Sequence, residues 1–392
     1  MINHSLGITL VGTLLAVSMQ ATARTWTNTL GRTFEAEFVR MDGGSVIFMA
    51  PNSRSFSTPL ASLSVGDQMV VKKQGIGTLA GPPGVAVAST FNRPWPREVR
   101  LDGPVVCKVI SEDRRTQRYV YESPGYRFNC DARVTDDALR NFSVMFETIR
   151  KYALQIPLSL GVSRERQGKL DVVLFARAID YARAGGPPGT AGCYVNGVVL
   201  VPMDSLGLKE GGTGFSLDST RRNNTVLVHE LVHQLTPDAY MSPGARGWFS
   251  EGLAEYMAIT PYNWGYFKPD IYGNVVKSYV TATGADGLGG RGLGVDLTAP
   301  HLKHFLLMSY DQFSSPHGNL NYGLGLLLTH YFFHMEGGGK AFRITQFLKG
   351  LEAGKRGEAS LAPLLGGGSY EKLEGEITAA WARMGVQIHF GG

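Results

Sequence analysis

Cysteine is scarce in this sequence: Cys107, Cys130 and Cys193 are the only three in 392 residues. Their spacing matches no zinc ribbon, and an odd count leaves at least one thiol outside any disulfide. A Cys107–Cys130 bridge and three small buried thiols both stay open at this level. Charge is sparse too. Only 18% of residues are Asp, Glu, Lys or Arg, and the net charge is +5. No run of Lys and Arg makes a phosphate-tracking stripe, which argues against a nucleic-acid partner. Beyond the N-terminal segment no apolar run reaches 18 residues without a charge, so no membrane span is expected in the mature chain. What is present is a 43% hydrophobic composition over a length that suits a folded chain of two domains.

The first residues read as an export signal. Leu6 to Met19 is apolar, and Ala21-Thr22-Ala23 fits an A-x-A cleavage site, which makes residues 1–23 a leader and Arg24 the mature start. His4 is the only basic candidate before the apolar stretch, which is short for a bilayer span, and no Cys follows to take a lipid. The expected location is therefore periplasmic or extracellular, with no membrane contact after cleavage. Residues 24–72 alternate as a small β module around the turn Asp42-Gly43-Gly44. Residues 73–98 carry Gly75, Gly77, Gly81-Pro82-Pro83-Gly84, Pro94 and Pro96, a linker composition. A second domain is expected over 99–392. It begins with strands at 105–110, 117–122 and 126–130, and a helix of about 20 residues capped by Thr135 follows, burying Ala138, Leu139, Phe142, Met145, Phe146, Ile149 and Tyr152. Leu170 to Ala176 reads as a buried strand, and Asn196-Gly197 as a hairpin turn between Cys193–Val195 and Val198–Val201. Later helices are expected in 321–350, broken at Gly337-Gly338-Gly339, and in 369–384.

The chemistry concentrates at His229-Glu230-Leu231-Val232-His233, inside a run with helical character. Positions i and i+4 share one helix face, so both imidazoles can reach one Zn²⁺. Glu230 is rotated about 100° away, too far to be a good ligand, but it can take a proton from water at the metal. An open zinc site needs a third protein ligand. After Thr236-Pro237 ends the helix, a turn-rich return leads to Ser250-Glu251-Gly252-Leu253-Ala254, where Ser250 is a reasonable N-cap and Glu251 opens a second, antiparallel helix. The bland alternative is a helix with two satisfied histidines and no metal.

His229 to His233 followed by Ser-Glu-Gly-Leu-Ala at this distance resembles the gluzincin metallopeptidases, the peptidase MA-like group. The likeness is best over 170–385. It implies an α+β, thermolysin-like zincin domain, with a small mixed sheet, active-site helices and a helical C-terminal part. It also implies Zn²⁺ held by His229, His233 and Glu251, and Glu230 as the base that activates zinc-bound water for attack on a peptide bond. Relatives carry a carboxylate four residues after the third ligand, which places Glu255 behind His229. A ligating imidazole needs such an acceptor on its other nitrogen. Relatives also carry a downstream oxyanion donor, assigned here to Tyr322 of Asn321-Tyr322-Gly323, with Tyr310, His317, His330 and Tyr331 as competitors. Within 24–72, Arg24-Thr25-Trp26-Thr27, the Phe34–Phe38 strand and Pro59 to Ser64 resemble an SHD-type SH3-like module, a small β-barrel with a possible protein or cell-envelope ligand.

The expected activity is that of an exported zinc metallopeptidase acting on peptide or protein. No Gly-x-Met-Glu-Asn segment grips a free amino terminus, which tilts the reading toward an endopeptidase. Related folds hold extended substrate on an edge strand, assigned here to Val198–Val201. The alternatives are a zinc amide hydrolase of cell-wall peptides, or a non-catalytic scaffold that works through its β module. Gly287 to Gly292 matches G-x-G-x-x-G, but Gly294 and Pro300 stand where a helix must start, so it reads as a loop beside the active site and not as a dinucleotide site.

Overall fold

The computed structural model describes residues 24–391 except 30, 43–44, 51–54, 77–88, 162–167, 189, 196, 219–224, 270–272, 283–289 and 316–317. The leader 1–23, residues 43–44 of the first turn, most of the Gly/Pro stretch, Asn196, His317 and Gly287–Gly289 lie outside the described residues. The chain divides into two compact units, Met1–Ala80 and Gly81–Gly392, and mixes helix with sheet, as an α+β chain should.

In the first unit, β1 (Arg24–Thr27), β2 (Thr33–Asp42), β3 (Ser45–Met49) and β4 (Ser55–Pro59) pair antiparallel in chain order. Trp26, Ala36, Val46 and Phe48 form its buried core, with Trp26 and Phe48 centroids 4.7 Å apart. Among the described residues the sheet stays open, since β4 does not pair with β1, so the barrel expected here is present only as a four-stranded meander. A helix that sequence reading missed, Val65–Ile76, packs Val71 into the same core. Its Asp67 accepts hydrogen bonds from the Arg24 guanidinium and the Thr27 N–H, which ties the helix to β1. Sequence reading divided this stretch between the β module, which ended at 72, and the linker, which took in Gly75. The helix runs past the expected module end at 72, and Thr90 and Phe91 are already buried in the second unit.

The second unit opens with β5 (Val99–Arg100). A six-stranded mixed sheet then comprises β6 (Lys108–Asp113), β7 (Arg118–Glu122), β8 (Tyr126–Cys130), β9 (Leu170–Phe175), β10 (Cys193–Val195) and β11 (Val198–Pro202), in the spatial order β10-β11-β9-β8-β7-β6. The helix Asp136–Gln155 lays its expected apolar face on this sheet, with Phe128 against Phe142 at 4.9 Å and Tyr126 against Phe146 at 5.2 Å. The edges of the sheet are β10 and β6, and not Val198–Val201 as expected from sequence. All of β11 is buried between β10 and β9, the environment that a continuous Val/Leu run suits. All three cysteines are free thiols. Cys107 precedes Lys108, which is level with Glu122, whereas Cys130 is level with Tyr119 at the other end of β7, so the two lie at opposite ends of the sheet with a strand between them.

Helices follow at Thr225–Leu235, Trp248–Ala258, Gly273–Thr281, Gly318–His330, Phe342–Glu352, Glu358–Leu365 and Tyr370–Ala382. The Gly318–His330 helix widens into a π turn, Tyr331–Met335, and the chain breaks at Gly337–Gly339, which all take positive φ. Trp248–Ala258 and Gly318–His330 cross with their backbones in contact. A Cβ added at Gly252 would stand 2.4 Å from the Gly325 carbonyl oxygen. Among the described residues no helix is long and apolar enough to cross a membrane.

Candidate metal centre

The helix Thr225–Leu235 buries Leu227, Val228, Leu231, Val232 and Leu235, and this fixes its rotation so that His229 and His233 share the side facing Trp248–Ala258. Leu235 is its last residue, two before Pro237. The second helix begins at Trp248, earlier than expected. Ser250 is not its N-cap but sits in its first turn, where its Oγ accepts from the Gly247 N–H at 3.0 Å. Gly247 has φ +95, so glycine sets the start where a serine was expected to. Glu251 consequently projects from the end of the first turn, back toward the histidines.

Three donor atoms converge there. His229 Nε2 and Glu251 Oε2 are 3.1 Å apart, His233 Nε2 and Glu251 Oε2 are 3.2 Å apart, and the two Nε2 atoms are 3.1 Å apart. Ligands about 2.0–2.1 Å from a tetrahedral ion stand roughly 3.3 Å from one another, so this triangle has the dimensions of a zinc face. Two imidazole nitrogens and one carboxylate oxygen are also the donor types such an ion takes. No other His/Cys/Asp/Glu group among the described residues is arranged in this way. His330 and His334, also four residues apart, do not join it. The His330 ring lies by Trp381, and His334 Nε2 is 2.7 Å from the Tyr256 hydroxyl.

Glu255 Oε1 lies 3.1 Å from His229 Nδ1, where it can accept the proton that leaves Nε2 available as a ligand. Burial works against the charge of both Glu251 and Glu255, but their partners outweigh it. His233 and His229 hold the Glu251 carboxyl well below the usual carboxylate range, and His229 and Arg291 lower Glu255. Glu230 goes the other way: burial pushes it up. Its Oε2 accepts the Tyr194 N–H of β10 at 3.0 Å. Carboxylates in one site thus differ in the direction of their shifts.

Tyr322, in the Gly318–His330 helix, has its ring 6.2 Å from that of His229, and Tyr310 is near enough to act on its phenol. Burial, then the nearby Glu251, raises both phenols, so both are protonated donors. A cleft of about 520 Å³ opens over the site, with His229, Glu230, Glu255, Thr190, Gly192 and Tyr322 among its lining residues.

The structure therefore brings His229, Glu230, His233, Glu251, Glu255 and Tyr322 together. Sequence reading missed Arg291, whose guanidinium grips Glu255, and Tyr194, whose backbone holds Glu230. Backbone contacts leave no residue signature, and Arg291 stood inside a glycine-rich stretch read as a loop. Tyr310 and Tyr322 come near one another from separate elements that no spacing rule links. Compared with family models, with curated proteins and with solved structures, the chain matches none.

Proposed function

We propose that this chain is an exported zinc-dependent peptide hydrolase of gluzincin type, with a thermolysin-like zincin arrangement in its second unit and an SH3-like module in its first. The observation that carries the reading is the triangle of His229, His233 and Glu251 donors at 3.1–3.2 Å, with Glu230 beside it but engaged elsewhere. His229 and His233 would hold the ion through Nε2 and Glu251 through Oε2. Zinc, when bound, supplies Lewis acidity for hydrolysis of an amide. Glu230 takes the proton of the attacking water on its carboxylate and returns it to the leaving amine. Its raised affinity for a proton suits a group that must both accept and release one. Tyr322, with Tyr310 behind it, offers a hydroxyl to the oxygen on which charge develops. An extended peptide would lie along the free edge of β10. The apolar stretch ahead of Ala21-Thr22-Ala23 supports export, and the four-stranded meander supports the SH3-like reading of the first unit, whose proposed ligand is a protein or the cell envelope.

The test is Glu230→Gln. The variant should bind zinc like wild type and hydrolyse a peptide library about 10²–10⁴-fold more slowly. Undiminished turnover in that variant, or wild-type turnover that survives a chelator, would overturn the reading.

A further inference from the structure

We propose that Arg291 is a positioning residue of the metal centre, one guanidinium that fixes the carboxylate behind His229 and the ring of Tyr322 together. The proposal rests on the zinc-site reading above and adds a residue from outside the two metal-site helices. Arg291 meets Glu255 along both edges of its fork, Nη2 to Oε1 at 2.7 Å and Nε to Oε2 at 3.2 Å. The same planar group lies 4.8 Å from the centroid of the Tyr322 ring. Its Nη1 donates to Asn319 Oδ1 at 3.4 Å, and Asn319 Nδ2 donates back to the Arg291 carbonyl at 2.8 Å. Nε, Nη1 and Nη2 thus each have a partner within the protein, and the group reaches the wall of the cleft beside Tyr322.

The backbone around Arg291 is held as firmly as its side chain. Arg291 N–H donates to Tyr279 O, Gly292 to Ala282 O, Leu293 to Val280 O and Gly294 to Thr281 O, at 2.8–3.1 Å. These bonds fasten the strip to the end of the helix Gly273–Thr281. A Cβ at Gly290 would fall 2.2 Å from the Ala282 carbonyl oxygen, so only glycine permits this approach. The glycines of the segment therefore deliver one arginine to a fixed place.

The physical role follows from geometry. A lone carboxylate can turn about its terminal bond, and its alignment with His229 Nδ1 then wanders. A bidentate guanidinium sets the plane of that carboxylate, which a point-like ammonium cannot do. Partners of ligating histidines typically govern metal affinity by 10–100-fold.

The test uses the full chain stripped of metal, with zinc affinity read by competition with a chelating dye and no substrate present. Arg291→Met should weaken zinc about 10-fold or more, and Glu255→Gln similarly. The double variant should be little weaker than the poorer single one, because both remove the same restraint. Arg291→Lys should recover only part of the loss. Zinc affinity of a folded Arg291→Met within twofold of wild type, even alongside a lower melting temperature of the metal-free protein, would make the arginine merely structural and overturn the proposal. Should Arg291→Met fail to fold, Asn319→Ala, which loosens the guanidinium but leaves it in place, should weaken zinc by a few-fold, and unchanged affinity there refutes the role. Wild-type protein that takes up no zinc would instead overturn the functional reading beneath it.

Discussion

Replacing Gly252 with alanine sets two effects of opposite sign against each other. In a helix interior alanine is favoured over glycine by about 1 kcal/mol. At Gly252, however, the new methyl would stand 2.4 Å from the Gly325 carbonyl oxygen and 2.4 Å from Thr329 Oγ1. Thr329 can turn its hydroxyl away, whereas the carbonyl is backbone of the helix Gly318–His330 and cannot. A tolerable carbon–oxygen contact is about 3.3 Å, so the two helices must part by roughly 1 Å. Overpacking of this kind costs about 3 kcal/mol at the upper end of its usual range, which leaves a net loss of about 2 kcal/mol. For a unit of this size that is a fall of about 3 °C in melting temperature. The functional loss should be larger in proportion. Glu251 is the adjacent residue and Tyr322 rides on the displaced helix, and a 1 Å error in a site can cost about 10²-fold in turnover. Calorimetry of the metal-free protein, zinc titration and peptide turnover measure the three quantities. Gly375→Ala is the control. That glycine lies in the helix Tyr370–Ala382 with nothing within 4 Å of an added Cβ, so the same substitution should stabilise there by about 0.5–1 kcal/mol. A Gly252→Ala protein that matched the control in stability and kept its zinc affinity would refute the helix-crossing argument.

Tyr322→Phe should lower turnover with little change in zinc content, and Tyr310→Phe should do the same to a smaller degree; equal activity of both variants with wild type moves the oxyanion role elsewhere. His334 gives a pH signature. Burial lowers it to about 4 from 6.5. Its folded value lies below its unfolded one, so the unfolded chain binds more protons between these limits, and stability falls as pH drops through that window. The penalty, complete below about pH 4, approaches roughly 3 kcal/mol. Denaturant titrations at pH 6.5 and 4.5 should therefore differ less for His334→Gln than for wild type, and an identical difference would exclude His334 as a source of acid sensitivity. Thiol labelling of the native protein should reach Cys107 and Cys193 before Cys130, which is 5% exposed; three equal rates would contradict its burial.

Local pattern made much of this molecule legible. The i, i+4 histidines, the proline that ends their helix, and the apolar face of Asp136–Gln155 are short-range signals written in residue type. The sheet order was not legible, because a run such as Val198–Val201 is apolar whether it lies at an edge or in the middle, and only pairing decides. The helix Val65–Ile76 was not legible, because the boundary between module and linker fell inside it. At the site, the group of His229, His233 and Glu251 was readable because holding a metal would demand particular side chains at particular spacings. Arg291 was not, because its place depends on a strip of backbone fastened to another helix, and Tyr194 contributes an N–H that every residue but proline has.

The order of these residues along the chain bears on how the site assembles. His229 and Glu251 are 22 positions apart, so closing the ligand loop requires no other part of the chain. Bringing in Tyr322, roughly 90 residues from His229, costs about 1 kcal/mol more in loop entropy. An ion captured by the two-helix hairpin would cross-link it while Arg291 and Tyr322 were still undocked. Zinc would then act first as a folding nucleus, and the later helices would close over a centre already formed.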